Sequence, residues 1–354
     1  MKALLPRIEI SLSKIRENTK HLSKLYGQKG ISLMGVTKGV LGEPAIAMAM
    51  SQGGVHWIAD SRLENIHKMT AAGVNSKFVL LRTPLSLAKS VVTLADISFN
   101  TELETIKSLS YQAGLQQKMH QIVIVVEMGD LREGVLPCDL TSFVREILIL
   151  PNLKLIGIAC NLACYSGVAP DVKKMSELSR LAEYIESAFS LRLELISGGN
   201  SANYHWSQAT QQFGRINNLR IGESILLGCE TLTRQAIPGL HLNAFQLIAE
   251  VVEVKTKPSR PYGQIGQDAF GLIKSPKDKG LMRRVICALG KQDVLISGIT
   301  PASSLEILGA SSDHLLLDSK NSHFQVGDEV RFTPDYGALL TSMTSPFVHK
   351  YLFE

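Results

Sequence analysis

The sequence predicts an α/β protein: a (β/α)8 barrel of the TIM type, followed by a mostly antiparallel β domain. Three observations support this prediction. Short apolar runs alternate with amphipathic stretches between residues 30 and 225. Several of these runs are continuously apolar, as expected of parallel strands buried on both faces. After about residue 235 the helical period fades, and short β-rich runs are broken by Gly, Asp and Pro.

Eight apolar runs are the candidate barrel strands, and helices are predicted between most of them. Two helices open with a capping box, Ser61 with Glu64 and Thr101 with Glu104. The weakest link is the one before the last strand, where only "HWSQATQQFG" can form a helix. Eight alternations favour a closed barrel over a doubly wound open sheet, which is the main alternative. The runs are "SLMGVTK", "VHWIAD", "KFVLLR", "DISFN", "QIVIVVEM", "LKLIGIACN", "LELISGG" and "LRIGES".

We place the barrel at residues 10–235 and the β-rich domain at residues 236–354. The segment "RIEISL" also alternates, so residues 1–10 are a candidate for an additional strand of the second domain. The strands predicted for that domain are "FQLIAEVVEVKTK", "RRVICALG", "VLISG", "SLEILGA", "DHLLLD" and "EVRFTPD".

Composition excludes several classes of protein. The net charge of +5 is modest and its basic residues are scattered, so we expect no nucleic-acid binding. No apolar run approaches the roughly 18 residues that span a bilayer, and the N-terminal segment does not resemble a signal peptide. The five cysteines are odd in number and form no CxxC pair. We therefore expect reduced thiols, a cytoplasmic protein and no membrane partner.

The functional face of such a barrel lies at the C-terminal ends of its strands. In this sequence those ends carry cations, amides and one carboxylate, and the last two strands lead into the glycine-containing turns "SGGNSAN" and "RIGES". The residues at the first six ends are Lys38, Asp60, Arg82, Asn100, Arg132 and Asn161.

The two glycine-containing turns predict a phosphate site. Barrels commonly bind phosphate after strands seven and eight, where Gly198, Gly199 and Gly222 let backbone N–H groups approach an anion. Each signal alone is weak, because paired glycines usually form an ordinary turn and a lysine at a strand end usually shows only that the strand has reached solvent. Together with Arg220 and Lys38 they indicate a lysine that shares a pocket with a phosphate-bearing cofactor. The sequence contains no Walker loop, no GxGxxG after a strand, no HExxH and no nucleophile elbow.

These residues belong to a longer pattern that covers nearly the whole chain. It resembles the alanine-racemase fold group of pyridoxal-phosphate enzymes, and within it the ornithine (or alanine/ornithine) racemase branch. The matching segments are "RIEISLSKIREN", "MGVTKGVLGEP", "ADSRLEN", "GDLREGVLP", "GIACNLACYSGV", "SGGNSAN", "LRIGESILLG", "GASSDHLLLD" and "TPDYGALLTSMTSPFV".

The resemblance implies a role for each matching residue. Lys38 is the lysine that carries pyridoxal 5′-phosphate, and Arg220 donates to the pyridine nitrogen. A guanidinium does not readily give up a proton, so that nitrogen stays unprotonated, which suits racemisation better than decarboxylation. Arg132 lies near the substrate carboxylate. The remaining cofactor-binding residues are Asn161, where alanine racemases have a histidine that stacks on the ring, and Asn200, Ser201, Gly222, Glu223 and Tyr336 around the phosphate.

The group that exchanges a proton on the face opposite Lys38 is left open among four residues. The catalytic tyrosine of alanine racemases has no clear counterpart in "PYGQIGQDAFG". We assign Asp313 and His314 as catalytic candidates, with Tyr262 and Asp268 as alternatives, although Asp313 and His314 can equally form a polar turn. A related zinc-dependent group pairs a histidine with a cysteine here. "PDYGALL" has no cysteine, so we expect no metal.

The function expected from the resemblance is racemisation of a basic or small amino acid by a head-to-tail homodimer with a shared site. The tyrosine that follows the lysine in alanine racemases is missing, so we expect ornithine or lysine to be preferred over alanine. Asp130, Glu133 or Asp313 can pair with the distal ammonium of such a substrate. Two alternatives are a decarboxylase of the same barrel group, against which Arg220 argues, and a non-catalytic pyridoxal-phosphate carrier, against which the second domain argues.

Overall fold

The computed structural model describes residues 4–273, 277–320 and 322–354. These residues form two compact units. One is Leu12–Leu242, and the other joins the residues up to Ser11, including strand β1 (Arg7–Ser11), with Asn243–Glu354. The first unit ends later than residue 235 because the following segment stays bonded to it. The backbone N–H of His241 donates to Asn18 Oδ1 at 2.7 Å, and Asn18 Nδ2 donates to the carbonyl of His241 at 3.0 Å.

The first unit is a closed barrel of eight parallel strands that pair in chain order, as predicted. The strands are β2 (Ser32–Val36), β3 (Trp57–Asp60), β4 (Lys77–Leu80), β5 (Ile97–Asn100), β6 (His120–Val125), β7 (Leu153–Ala159), β8 (Leu195–Ser197) and β9 (Asn218–Ile221). Alternate residues of these strands build one buried apolar cluster, which includes Val36, Phe99 and Val125. The cluster fills the barrel, so that only its end is free for a site.

A helix precedes the first barrel strand and at least one follows every strand. They are α1 (Leu12–Gly27), α2 (Pro44–Gln52), α3 (Leu63–Ala71), α4 (Ala88–Leu94), α5 (Leu103–Leu115), α6 (Leu140–Leu148), α7 (Val172–Phe189), α8 (Tyr204–Ala209) and α9 (Glu223–Leu227). The weak link before the last strand does contain a helix, the short α8. None of the described helices is long and apolar enough to cross a membrane.

The two predicted capping boxes are wrong by one residue. Helices α3 and α5 begin after Arg62 and Glu102, and neither cap residue bonds the helix through its side chain. At α3 the reason is visible, because the Asp60 carboxylate accepts the Arg62 N–H at 2.9 Å and replaces Ser61 as the anchor of this end. Nothing in the structure explains the shift at α5.

The second unit is a sheet whose strands pair antiparallel, with one parallel exception. Strand β10 (Phe245–Pro258) lies between β11 (Leu281–Ala288) and β15 (Glu329–Pro334). Beyond β15 lies β12 (Ile299–Pro301), and beyond β11 lie β14 (His314–Asp318) and then β13 (Glu306–Ala310). Strand β1 pairs antiparallel with β10 and parallel with β16 (His349–Phe353).

Two elements of this unit differ from the sequence prediction. "VLISG" is not a strand, because its last residues form a 3₁₀ turn, Ile296–Gly298, before β12. Helix α10 (Tyr336–Thr344) was not predicted. Its start carries a usable signal, since the Asp335 carboxylate caps the helix by accepting the Ala338 N–H at 2.8 Å.

A buried histidine makes the stability of the barrel dependent on pH. His120 begins β6, and its Nε2 lies 2.8 Å from Ser98 Oγ. Burial lowers the pKa of His120 to about 4, from an ordinary value of 6.5. As pH falls through this interval, the unfolded chain binds a proton at His120 that the folded chain does not bind, so the free energy of unfolding decreases with falling pH.

We expect His120 to account for a loss on the order of 2 kcal/mol in the free energy of unfolding between pH 7 and pH 5. The measurement is urea unfolding at both pH values for the wild type and for His120→Gln. The variant should lose less stability on acidification. His67→Gln, at an exposed position on α3, is the control and should behave as the wild type. Equal pH dependence in all three proteins would contradict the assignment.

Candidate active site

Lys38 follows the first barrel strand by two residues, in a 3₁₀ turn that is fastened to the next strand. The hydroxyl of Thr37 donates to Asp60 Oδ2 at 2.8 Å, and Asn65 Nδ2 donates to Asp60 Oδ1 at 3.0 Å. Asp60 is fully buried. Burial raises its pKa, whereas the bonds from Thr37 and Asn65 lower it. Asp60, predicted only as a strand end, therefore fixes the backbone that carries Lys38.

The side chain of Lys38 opens into a pocket of about 460 Å³ that is also lined by Arg132, Glu133, Asn161 and Arg220. Among the described residues, the Lys38 amine forms no hydrogen bond and no ion pair. Burial lowers the pKa of Lys38, and the charges of Arg132 and Arg220 lower it further, while Cys164 and Asp60 act in the opposite direction. The amine is therefore neutral, and able to act as a nucleophile or base, at a lower pH than an ordinary lysine.

Arg220 projects from β9 into the same pocket and is held rigidly. Its Nη1 donates to Ser197 Oγ and its Nη2 to the carbonyl of Cys160, both at 2.7 Å. The guanidinium carbon lies 5.2 Å from the centre of the Phe99 ring. Burial lowers the pKa of Arg220, but an arginine starts from so high a value that it remains protonated near neutral pH.

Asn161 presents an unsatisfied donor in this pocket. Its Oδ1 accepts from Asn200 Nδ2 at 3.2 Å and from Arg220 Nη2 at 3.4 Å, which fixes the orientation of the amide. Its Nδ2 is buried and has no hydrogen-bond partner among the described residues. A buried donor without a partner is costly, so this position calls for a bound group that carries an acceptor.

The loops after β8 and β9 meet beside Arg220. The backbone N–H of Ser224 donates to Ser201 Oγ at 3.2 Å, and that of Arg220 donates to the carbonyl of Gly199 at 2.9 Å. Gly199 has φ of +140°, and a Cβ there would lie 2.3 Å from Asn203 Oδ1, so only glycine fits. Gly222 precedes α9 with its open side against Val36. Ser201 and the start of α9 thus lie next to each other, and together they are the predicted phosphate cup.

Arg132 is paired with its neighbour in the chain. Its Nε and Nη2 contact the two carboxylate oxygens of Glu133, and both side chains are about one-third exposed. Burial alone would lower the pKa of Arg132, but the contact with Glu133 outweighs it and the pKa is raised. Arg132 therefore lies in the pocket as a fully charged group whose planar fork can bind a carboxylate.

Asp130 is not available to a substrate ammonium, contrary to the prediction. It is fully buried. Its Oδ1 accepts the N–H groups of Ser166 and Val168, and its Oδ2 accepts those of Cys164 and Tyr165. Four backbone donors occupy the carboxylate, so Asp130 is the structural anchor of the loop that follows β7. Of the three acids named from the sequence, Glu133 lies in the pocket.

The second unit holds the remaining candidates. Asp313 and His314 are exposed, with Asp313 Oδ1 at 2.9 Å from His314 Nδ1, and the bond from His314 is the main reason that the pKa of Asp313 is lowered. Tyr262 and Asp268 line a larger pocket of about 940 Å³ within the same unit. Asp268 Oδ1 also accepts two N–H groups of its own loop. Tyr336 begins α10.

The barrel thus brings the predicted cofactor and substrate residues Lys38, Arg132, Asn161 and Arg220 into one pocket, together with the predicted Arg82, Asn100 and Glu133. Asn200 is a support, because its side chain bonds Asn161, the carbonyl of Leu162 and the Ala202 N–H. Glu223 at the cup forms an ion pair with Arg234.

Cys164 was not singled out from the sequence; its Sγ lies 3.4 Å from Asn200 Nδ2, and its charge acts on Lys38. No group of three or more metal-ligating side chains occurs among the described residues.

Comparisons with known proteins agree with this fold. Residues 10–229 match the model of the alanine racemase N-terminal domain. The chain is 40% identical to an ornithine racemase from Acetoanaerobium sticklandii, over 98% of this chain and 99% of that protein. It is 36% identical to a lysine racemase from Thermotoga maritima, over 98% of both. A solved alanine racemase from Clostridium difficile 630 superposes with a TM-score of 0.78 at 17% identity, covering all of this chain and 97% of that one.

Both curated relatives are amino-acid racemases, and they match this chain over nearly its whole length, barrel and β-rich unit alike. The protein is an enzyme of this class, an isomerase. The chain belongs to the alanine racemase family.

Proposed function

We propose that the protein interconverts the L and D forms of a basic amino acid, ornithine or lysine, with pyridoxal 5′-phosphate held by Lys38. One observation carries the proposal: the half-buried Lys38, whose amine has no hydrogen-bond partner among the described residues, shares a pocket with Arg132, Arg220 and the buried Nδ2 of Asn161, which also lacks a partner there. The 40% and 36% identical relatives, an ornithine and a lysine racemase, support this choice of substrate.

The residues at the barrel mouth fit the cofactor. Lys38 supplies an amine, Arg220 a donor for a ring nitrogen, and Asn161 Nδ2 a donor that finds no acceptor in the described part of the chain. Ser201 and the backbone at Gly222 and Glu223 supply the phosphate cup, to which we assign Tyr336 of the second unit by the family resemblance. When bound, the cofactor withdraws electrons from the substrate α-carbon and so acidifies its proton.

Each residue then has a physical task. Arg132 binds the substrate carboxylate and orients the α-carbon. Lys38, with its lowered pKa, accepts or returns the α-proton on one face. Arg220 remains charged and leaves the ring nitrogen without a proton, which limits the electron withdrawal and disfavours decarboxylation.

The opposite face of the α-carbon needs a second acid–base group, since one lysine at a fixed position serves one face. We propose Asp313 or His314, contributed by the other copy of a head-to-tail homodimer, with Tyr262 and Asp268 as alternatives. Both favoured residues are more than half exposed and hydrogen-bonded to each other. All five cysteines are free thiols, which supports a reducing, cytoplasmic location.

The test is racemisation of a panel of single amino acids in the presence of pyridoxal 5′-phosphate, followed by chiral chromatography. We expect ornithine or lysine to react with a kcat/KM at least about tenfold above that of alanine, because a second ammonium adds a charged hydrogen bond. Release of carbon dioxide without racemisation would replace the proposal with a decarboxylase. Faster turnover of alanine than of every basic amino acid would reject the substrate assignment.

A further inference from the structure

The contact between Arg132 and Glu133 bears on substrate choice. The pocket that holds this pair is rich in cations, since Arg62, Arg82 and Arg220 line it together with Lys38 and Arg132. The Glu133 carboxylate covers two donors of the guanidinium that is proposed to bind the substrate carboxylate. Glu133 therefore places a negative charge beside Arg132, in a pocket whose charged lining is mostly cationic.

The other acids near the mouth do not have this position. All four backbone contacts of the Asp130 carboxylate are structural, and Asp60 is buried behind Thr37 and Asn65. Glu102 also lines the pocket, but it is exposed, and no cationic side chain among the described residues is bonded to it. Glu133 is thus the acid that already makes a two-point contact with a substrate-binding group.

A substrate carboxylate competes with Glu133 for Arg132. An amino acid without a charged side chain would release Glu133 and leave a half-buried carboxylate without a partner, which is unfavourable. A diamino acid carries a second ammonium that can take the place of Arg132 at Glu133. Its carboxylate and its distal ammonium would then replace both halves of the resting ion pair.

We propose that Glu133 is the specificity-determining residue that binds the side-chain ammonium of the diamino acid. The inference rests on the proposed function of the same pocket, and it adds the residue and the exchange of partners that select the substrate. Glu133 contacts the substrate and takes no part in proton transfer. Its effect therefore falls on KM and on the discrimination between charged and neutral side chains.

The experiment compares ornithine with norvaline, which has the same carbon chain without the side-chain ammonium. In Glu133→Gln we expect kcat/KM for ornithine to fall about tenfold, mostly through KM, whereas norvaline is unchanged or improved because Arg132 is freed. Glu133→Asp, which retains the charge, should keep part of the preference. Glu104→Gln is the matched control, because Glu104 pairs with Lys107 on the exposed face of α5.

The outcomes separate this inference from the proposed function. Loss of ornithine selectivity in Glu133→Gln, with norvaline turnover retained, supports it. An equal loss for both substrates overturns it, and so does a selective loss in Glu102→Gln while Glu133→Gln keeps the wild-type ratio. If the wild type racemises ornithine and Glu133→Gln has the same kcat/KM values for ornithine and norvaline, this inference is overturned and the proposed function stands. Absence of racemisation by the wild type overturns the proposed function together with the inference.

Discussion

Replacement of Lys38 by alanine is expected to lower racemisation of ornithine by at least about 10³-fold, because it removes both the cofactor attachment and one of the two proton-transferring groups. Bound cofactor should be fixed by borohydride on Lys38 in the wild type, as located by peptide mapping. The variant should take up no label. Because burial and two arginines lower the pKa of Lys38, labelling of the wild type should begin at a lower pH than labelling of an ordinary lysine.

Lys107→Ala is the control for this experiment. Lys107 lies on the exposed face of α5 and pairs with Glu104, so its loss should leave the racemisation rate and the label unchanged. Circular dichroism should show that both variants are folded. A label on any other lysine, or undiminished activity of Lys38→Ala, would reject the assignment.

Removal of the proposed second base is expected to leave an enzyme that exchanges the α-proton of only one enantiomer at an appreciable rate. In His314→Gln, exchange of the α-proton with deuterium from solvent should persist for one enantiomer and fall about 10²- to 10³-fold for the other. The hydrogen bond from His314 Nδ1 to Asp313 leaves Nε2 as the proton acceptor, and the lowered pKa of Asp313 makes its carboxylate a weak base. Asp313→Asn should therefore have the smaller effect of the two.

The measurement is deuterium incorporation into each enantiomer by mass spectrometry, together with the native mass of the enzyme. Lys38→Ala, assayed with pyridoxal 5′-phosphate in excess because its attachment is lost, provides the comparison for the opposite face. Unchanged exchange in both Asp313→Asn and His314→Gln would transfer the role to Tyr262 or Asp268, to be tested as Tyr262→Phe and Asp268→Asn. A fully active monomer would contradict a site shared between two copies.

The barrel could be predicted from the sequence because its signal is physical and local. Strands buried on both faces are continuously apolar, and residues such as Val36 in β2 and Val125 in β6 belong to such runs. Helix starts were less accessible. Asp60 lies outside α3 and accepts the Arg62 N–H. This bond replaces the cap predicted at Ser61. Helix α10 went unnoticed because its Asp335 cap follows a strand without a loop.

The site was accessible only in part. The position of Lys38 and Arg220 at strand ends is readable from the sequence, since parallel strands deliver those ends to one mouth. The hydrogen bonds and ion pairs that each side chain makes cannot be read from the sequence. Asp130 and Glu133 are both acids in "GDLREG". The Asp130 carboxylate accepts four backbone N–H groups, whereas the Glu133 carboxylate forms an ion pair with Arg132. Such differences depend on the loop after β7, which lies more than thirty residues further along the chain.

The pairing of β1 has a consequence for the order in which the chain acquires structure. Arg7 pairs with Ile248 on one side and with His349 on the other, so β1 is synthesised long before either partner exists. During synthesis the barrel can close before β1 has a partner strand, and Ile8 and Ile10 of β1 stay exposed to aggregation until β10 and β16 have been made. Arg7 and Glu9 give β1 charged side chains at this stage. In the completed sheet Arg7 forms an ion pair with Glu329, and Glu9 forms one with Arg331.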